Sequence, residues 1–362
     1  MPKNQANARI TAIYGNDPLD MAKRLLDAEK AADSIDRDSG VTIKPNLVVA
    51  RPADGGATTH VEIIAGIIEY LQDNGIKNIS IIEGSWLGDN TKRAFKICGY
   101  EAVAKRYGVG LHDTKDDSST PVQTPAGNIR ICDKALSAGC IINVPVLKGH
   151  CQTRMTCALK NLKGCIPDSE KQRFHRDGLD RLIAGLATGL KPAFTLVDNL
   201  CGDLDFEEGG NPVKTDRLFL GRDPFQIDLM GAKLMGFAPR DIGYLRHGAE
   251  WGLGTLDAAG LELTELNRPA AAGTPRPSGK VSQLAKNIQS DQACSACYAT
   301  LIHALKRLTD QGVRPEGICI GQGWKGKTPG GIGVGECCRG AKKYVPGCPP
   351  TAADIVKTLG AR

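Results

Sequence analysis

Cysteines near the end of the chain have the spacing of ligands for a metal cluster. Cys294 and Cys297 form a Cys-x-x-Cys pair, Cys337 and Cys338 are adjacent, and Cys348 is followed by two prolines. Two thiolates two residues apart reach two corners of one cluster, and two later cysteines complete a set of four. A proline directly after the final cysteine also ends many iron–sulfur sequences. The pattern predicts one 4Fe-4S cluster held by Cys294, Cys297, Cys348 and Cys337, with Cys338 as the alternative to Cys337.

Two glycine-rich segments, 321–326 and 330–335, separate the cysteine pairs. Glycine allows the backbone to approach a cluster closely and to point N–H groups at its sulfides. A structural zinc site is one alternative, but zinc prefers two short ligand pairs, and the late cysteines have nine or ten residues between them. Buried free thiols that act as small hydrophobic side chains are the other alternative.

Composition limits the class of protein. The 362 residues suffice for one large domain and a smaller one, and no apolar segment is long enough to span a bilayer. The N-terminal segment has no signal-peptide features, and the chain contains thirteen cysteines. Together these features predict a cytoplasmic metalloprotein of an oxygen-poor cell rather than a disulfide-bonded protein. A net charge of +6 with 5% aromatic residues favours small anions over nucleic acid as partners. Neither a membrane partner nor a particular oligomeric state is predicted.

Strand-like and helix-like segments alternate along most of the chain. This order predicts an α/β fold, namely a mostly parallel sheet with helices on both faces. Residues 267–283, rich in Pro, Ala and Gly, predict a linker between an α/β domain (1–266) and a small cysteine-rich α/β iron–sulfur module (284–362). The predicted strands are 8–14, 40–46, 79–84, 109–112, 141–145, 191–198, 215–220 and 316–320, and the main predicted helices are 17–32, 58–74, 91–106 and 291–309.

Polar residues follow successive predicted strands, and parallel sheets bind ligands beyond the carboxyl ends of their strands. The window 148–176 is also strongly basic. Together they predict a crevice for a carboxylate or phosphate, although a solvated basic face remains the alternative. The predicted substrate-binding residues are Lys44, Asn46, Lys148, Lys160, Asn161 and Asp198.

Histidines in or near this crevice are the candidates for proton transfer, because imidazole titrates near neutral pH. The predicted catalytic residues are His60, His150, His175 and Glu83. Glu83 and Asp198 are the carboxylates expected to orient these imidazoles or the lysines. Cys151, Cys157 and Cys165 lie in the same window and leave a second cluster open as an alternative.

Several of these segments resemble, in order, the signatures of the family called domain of unknown function 362. They are Ile-Lys44-Pro-Asn-Leu, Thr-Thr-His60, Ile-Ile-Glu83-Gly, Ile-Asn-Val-Pro-Val-Leu-Lys148-Gly-His150 and Ala-Leu-Lys160-Asn-Leu-Lys-Gly164, followed by His175. The resemblance covers roughly residues 8–250 and implies an iron–sulfur protein, because members often carry a ferredoxin-like module, but it implies no reaction. The tail departs from tandem ferredoxin spacing. Its Val-Pro-Gly-Cys348-Pro-Pro segment is similar to cluster-binding segments in the small subunits of hydrogenases and of respiratory NADH–quinone oxidoreductase.

The sequence supports three functions. The first is an iron–sulfur oxidoreductase or electron-transfer protein, served by a redox partner protein and acting on a small anionic ligand in the crevice. The second is a non-redox isomerase or lyase for a small carboxylic acid, with a structural or Lewis-acidic cluster. The third is an iron–sulfur scaffold without turnover. The redox function requires the cluster to lie close to the crevice, with the tail folded over the carboxyl ends of the strands.

Overall fold

Short segments rich in Ile, Val and Leu form the strands, because such side chains pack well on a pleated surface. The computed structural model describes residues 9–258, 260–268 and 276–360. The strands are β1 (Arg9–Tyr14), β2 (Val41–Lys44), β3 (Ile79–Glu83), β4 (Gly110–Asp113), β5 (Ser119–Thr124), β6 (Gly127–Cys132), β7 (Cys140–Asn143), β8 (Lys148–His150), β9 (Arg154–Thr156), β10 (Phe194–Asp203), β11 (Pro212–Gly221), β12 (Glu262–Glu265), β13 (Ile288–Ser290), β14 (Ile318–Ile320), β15 (Ile332–Val334) and β16 (Lys343–Val345).

Amphipathic helices connect many of these strands, and two begin with a proline after a capping aspartate, Asp17 and Asp223. The helices are α1 (Pro18–Ala28), α2 (Val61–Asp73), α3 (Thr91–Ile97), α4 (Tyr100–Tyr107), α5 (Asp133–Leu136), α6 (Ala158–Asn161), α7 (Asp168–Asp177), α8 (Leu179–Gly189), α9 (Pro224–Met235), α10 (Gly243–Glu250), α11 (Lys280–Leu284), α12 (Ser295–Asp310) and α13 (Ala352–Gly360). Within the described ranges, none of these helices is long and apolar enough to cross a membrane.

The main sheet has eight strands in the order β12-β1-β11-β10-β7-β2-β3-β4. All neighbours are parallel except β11, which is antiparallel to both β1 and β10. The prediction of a mostly parallel α/β sheet is therefore confirmed. Strand β11 departs from it because a connection of a few residues after β10 can only return the chain antiparallel.

Both faces of the main sheet are covered. Successive residues of a strand point to opposite faces, and Ile141 and Ile142 of β7 accordingly belong to two different hydrophobic clusters. One cluster contains α8 and α9, and the other contains α1 and α2. This burial on both faces explains why the central strands read as continuous apolar segments.

The tail forms a second, four-stranded sheet that is parallel throughout, in the order β13-β14-β15-β16. Leu301, Ile302 and Leu305 of α12 pack with the apolar residues of this sheet in a separate cluster, which Phe206 from the main part of the chain also joins. The proposed domain limits at 266 and 284 stay a prediction. Part of the predicted linker, residues 269–275, lies outside the described residues.

Several elements differ from the sequence predictions. The predicted helix 91–106 is two helices, because Gly99 adopts a positive φ of 81° between α3 and α4. Strand β10 continues to Asp203, so Asp198 lies within the strand and not at its end. The hairpins β5–β6 and β8–β9 and the strands β12, β13, β15 and β16 were not predicted. Apart from β5 and β6, these strands have only three or four residues, and such short segments carry little periodicity.

Candidate cluster site and adjoining lysine cavity

The four predicted cluster cysteines meet at the carboxyl edge of the tail sheet. Cys294 and Cys297 lie at the start of α12, which follows β13. Cys337 follows β15 and Cys348 follows β16. Because all four strands are parallel, these connections leave the sheet on the same side. Residues that are far apart in sequence thereby line one space.

Glycines with positive φ angles follow three of these strands. Gly321, Gly335 and Gly347 have φ values of 123°, 86° and 121°, a region that side chains rarely adopt. A Cβ at Gly335 would lie 3.9 Å from Cys297 Sγ. The turns are therefore built to bring backbone close to the thiols.

The thiols surround a small cavity, which we call the cysteine cavity. Within the described residues, no three His, Cys, Asp or Glu side chains converge as they would around a single metal ion. A lone zinc needs four ligand atoms about 2.0–2.3 Å from one point. The cavity is lined by Cys294, Cys297, Ile320, Gly321, Gln322, Val334, Gly335, Glu336, Cys337, Gly347 and Cys348.

The electrostatics of this cavity suit a cationic metal group bound by thiolates. Burial, together with the smaller effects of the neighbouring Cys337 and Cys348, raises the pKa of Cys294 to about 11. Cys294 is the N-cap residue of α12 and makes no side-chain capping bond, so the positive end of the helix faces the site. Metal binding would deprotonate the thiols, and the helix end would stabilise the resulting negative charge.

Cys338 is not on the cavity. It is fully buried, and its thiol donates to the carbonyl of Cys319 over 3.4 Å. The structure thus places Cys337, and not its neighbour, beside the other three cysteines. The cysteines of the alternative second cluster lie apart, since Cys157 and Cys165 are in the core of the main part and Cys151 packs against the tail core.

Two glutamines fix Cys294 against the main part of the chain. The Gln152 side chain donates to the Ala293 carbonyl and accepts from the Ser295 hydroxyl, both over 2.8 Å. Gln322 Nε2 lies 3.1 Å from the Gln172 carbonyl and 3.6 Å from Cys294 Sγ. These bonds hold the tail over the carboxyl edge of the main sheet.

A second cavity of about 590 Å³, which we call the lysine cavity, lies at that edge. Cys294 lines both cavities. The proximity of tail and crevice that a redox function requires is therefore present. The lysine cavity is lined by Lys44, Asn46, Val48, Glu83, Gly84, Trp86, Leu87, Thr156, Lys160, Asn161, Lys163, Gly164, Lys171, His175, Glu207, Cys294, Ser295 and Ala296.

Lys44 and Glu83 close the lysine cavity from the ends of adjacent strands β2 and β3. Lys44 Nζ donates to Glu83 Oε2 over 2.9 Å, and both side chains are buried. Glu83 also accepts from the backbone of Leu47 and Gly84. A Cβ at Gly164 would overlap with both partners, so this position has to be glycine. Glu83 thus holds a lysine, one of the two orienting roles expected for it, and does not contact a histidine.

Lys160 is paired with Glu207, a residue that the sequence analysis did not single out. Lys160 Nζ donates to Glu207 Oε1 over 2.6 Å. The other oxygen, Oε2, lies 2.9 Å from His150 Nε2 at an angle too poor for a hydrogen bond. The sequence did contain one indication of this pairing. The basic window 148–176 needs counter-charges, and Glu207-Glu208 is an acidic pair that could supply them.

His150 and Lys148 are not on the lysine cavity. His150 Nδ1 accepts from the backbone N–H groups of Gln152 and Thr153, and burial lowers the pKa of His150 to about 4. Lys148 Nζ donates to Asn46 Oδ1 and to the carbonyls of Ala57 and Glu207, which uses all its hydrogens. These contacts are all within the protein, and the predicted ligand contact by Lys148 and proton transfer by His150 stay predictions.

Asn161 and Asn46 connect these groups. Asn161 Oδ1 accepts from Asn46 Nδ2 over 2.9 Å and from Lys44 Nζ over 3.4 Å, while its Nδ2 donates to Asn143 Oδ1. Both asparagines line the lysine cavity, as predicted for substrate-binding residues, but their bonds to neighbouring side chains show that they also orient Lys44 and Lys148.

His60 and Asp198 contact each other but do not line the lysine cavity. His60 Nδ1 lies 2.8 Å from Asp198 Oδ2, and Cys201 Sγ lies 3.9 Å from His60 Nε2. Burial lowers the pKa of His60, but the Asp198 carboxylate outweighs burial and raises this pKa to about 11. Asp198 thus orients a histidine, as expected for it, and also accepts from the His60 backbone at the start of α2, while the predicted catalytic role of His60 and substrate-binding role of Asp198 stay predictions.

His175 is the one predicted catalytic histidine on the lysine cavity. Its Nε2 lies 3.2 Å from Lys163 Nζ and 3.3 Å from Ser295 Oγ. Its Nδ1 is buried without a hydrogen-bond partner among the described residues. Burial and the charge of Lys163 lower the pKa of His175 well below its usual range. His175 is thus a neutral ring that touches both the cavity and the tail.

The chain is 24% identical over 218 residues to the thylakoid-associated protein sll1697 of Synechocystis sp., a match that covers 56% of the chain and 64% of that protein. It thus spans less than two thirds of that relative's length.

Two solved structures are similar at TM-scores of 0.42 and 0.39, values that establish neither the fold nor the activity of this chain. The first is the lactate racemase apoprotein from Thermoanaerobacterium thermosaccharolyticum, with 14% identity over 63% of this chain and 57% of that one. The second is a Thermotoga maritima protein, with 12% identity over 65% of this chain and 60% of that one.

The family model for a domain of unknown function, DUF362, matches residues 41–233. This segment contains β2 through α9 apart from the last residues of that helix, and it includes every lysine that lines the lysine cavity. The chain therefore belongs to the DUF362 family.

Proposed function

We propose that this protein is an iron–sulfur redox protein that acts on a small anionic ligand. One 4Fe-4S cluster would be held by Cys294, Cys297, Cys337 and Cys348, and the ligand would lie in the lysine cavity. When bound, such a cluster accepts and donates single electrons. Four cysteine ligands leave no open iron position, which favours electron transfer over Lewis-acid chemistry.

The observation that carries the proposal is that Cys294 lines both cavities. A group bound by Cys294 would lie directly beside a ligand in the lysine cavity, without a protein layer between them. The small-residue wall at Ser295 and Ala296 supports this arrangement, because it adds little bulk between the cavities. The hydrogen bonds of Gln152 and Gln322 hold Cys294 and its neighbours in place, which fixes the position of one cavity relative to the other.

The test is anaerobic purification followed by iron and sulfide analysis and by electron paramagnetic resonance before and after dithionite. We expect about four iron and four sulfide atoms per chain and a signal from the reduced protein. About one zinc per chain with no acid-labile sulfide would overturn the proposal.

Acid–base chemistry on a small carboxylic acid is the second candidate. It is favoured by His175, which lines the lysine cavity and has a buried Nδ1 without a partner among the described residues. A chemically irreducible cluster, together with exchange of ligand protons for solvent deuterium that a His175→Gln variant loses, would favour this candidate over the redox one.

A further inference from the structure

The lysines of the lysine cavity are not equivalent. Lys44 lies 2.9 Å from Glu83, Lys160 lies 2.6 Å from Glu207, and Lys171 lies 3.0 Å from Asp168. Lys163 is the fourth lysine on the wall. Across the described part of the chain, no carboxylate lies within 4.0 Å of its ammonium nitrogen.

The contacts of Lys163 are with neutral groups. Its Nζ lies 3.2 Å from His175 Nε2 and 5.8 Å from the centre of the Phe174 ring. Burial and the charge of Lys160 together lower the pKa of Lys163 to about 7, although the more distant Glu207 carboxylate opposes this shift. A buried ammonium group without an acid is costly, and a bound anion would remove that cost.

The walls of the cavity indicate what kind of anion fits. Three lysines are already balanced by three carboxylates, which leaves one positive charge, at Lys163. Val48, Trp86 and Leu87 supply apolar surface to the same cavity. One charge and an apolar wall suit a monoanion with an apolar body better than a phosphate dianion.

We propose that Lys163 binds the carboxylate of a small organic acid whose apolar part packs against Trp86 and Leu87, next to Cys294. This deepens the proposed function and rests on it for the choice of cavity. Lys163 would provide a charge-assisted hydrogen bond to the carboxylate. His175 contacts Lys163, and Ser295 in turn contacts His175, which helps to fix the position of the lysine.

A competing role for Lys163 is to balance the charge of a cluster at Cys294. The chain offers a matched control for this role, because Lys325 also lies near the cysteines and lowers the pKa of both Cys294 and Cys337. Lys325 does not line the lysine cavity. A variant at Lys325 therefore removes a cation near the cluster site without removing one from the cavity.

The experiment titrates anaerobic, iron-loaded protein with benzoate, with uncharged benzamide and with inorganic phosphate. Binding is followed by tryptophan fluorescence, and a Trp86→Phe variant shows whether the signal comes from the cavity. We expect benzoate to bind, Lys163→Met to weaken it by about 10- to 100-fold, and Lys163→Arg to weaken it less. Lys325→Met should leave the affinity for benzoate unchanged.

Each other outcome is decisive. Equal benzoate affinity in the wild-type and Lys163→Met proteins, no benzoate binding at all, or tighter binding of phosphate than of benzoate would overturn the inference. Lys163→Met could instead lose benzoate binding and iron together while Lys325→Met keeps both. That result would assign Lys163 to the cluster. Because the titration can also be run on protein without iron, a failure of the cluster proposal would be seen separately, in the iron analysis.

Discussion

The two cavities that meet at Cys294 differ in whether their charged or ionisable side chains have partners of opposite charge within the protein. In the lysine cavity, Lys44 and Lys160 each face a buried carboxylate, so most of the charge is balanced within the protein. In the cysteine cavity, Cys294 and Cys297 face other thiols, which raise one another's pKa in addition to the effect of burial. The first therefore has most of its charge balanced internally, with Lys163 as the exception, whereas the second is the site proposed for a metal cluster. This contrast predicts different responses to mutation.

The largest effect is expected from removing a cysteine on the cysteine cavity. Cys348→Ser should abolish most iron binding, because one of four ligands is lost, whereas Cys338→Ser should retain the iron, since its thiol points to a carbonyl instead. Iron content and visible absorption of anaerobically purified protein provide the measurement. Retention of iron by Cys337→Ser together with its loss from Cys338→Ser would reverse our assignment of this ligand.

The next effect should come from breaking an internally balanced pair in the lysine cavity. Glu83→Gln leaves the Lys44 ammonium buried without a counter-charge, and we expect the free energy of unfolding to fall by about 3–5 kcal/mol. Urea denaturation measures this change. The matched control is Lys92→Ala, which removes an exposed ion pair with Asp116 and should cause no measurable change. Equal stability of both variants would contradict the idea that the buried pair is a framework.

A smaller, pH-dependent effect is expected at His60, outside both cavities. Its pKa is raised from 6.5 to about 11, so its contribution to stability is complete below pH 6.5 and is lost progressively as the pH rises toward 11. The difference in unfolding free energy between wild-type and His60→Gln proteins should therefore shrink from pH 6 to pH 10. Asp198→Asn should remove the same pH dependence, because the carboxylate is the source of the raised pKa. A difference that is constant with pH would refute this account.

The smallest effect concerns the contact between Gln322 and Cys294. Hydrogen bonds to a cysteine ligand favour the reduced, more negative form of a cluster. Gln322→Leu should therefore make the reduction potential more negative while the iron content stays the same. A redox titration monitored by electron paramagnetic resonance measures this shift. Gln283→Leu, a change of a tail glutamine that does not line the cysteine cavity, is the control and should leave the potential unchanged.

Local patterns in the sequence were enough to predict the sheet class, the first strands and helices, and the set of cysteines that the structure brings together. Strand periodicity at 79–84 and the helix that ends before Asn74 depend on neighbouring residues, so they can be read directly. The Cys-x-x-Cys pair is equally local, and the later cysteines were recognisable from the glycines around them.

Pairing between distant charges could not be read in this way. Lys44, Lys148 and Lys160 look alike in the sequence, yet the fold directs Lys148 to carbonyl groups and gives Lys44 and Lys160 separate acids. Their partners come from 39, 91 and 47 residues away, and such long-range contacts depend on how strands and loops pack. Lys163 is one more lysine in the basic window of the sequence. In the described structure it differs from the others because no carboxylate lies within reach, and this property arises from packing and not from sequence spacing.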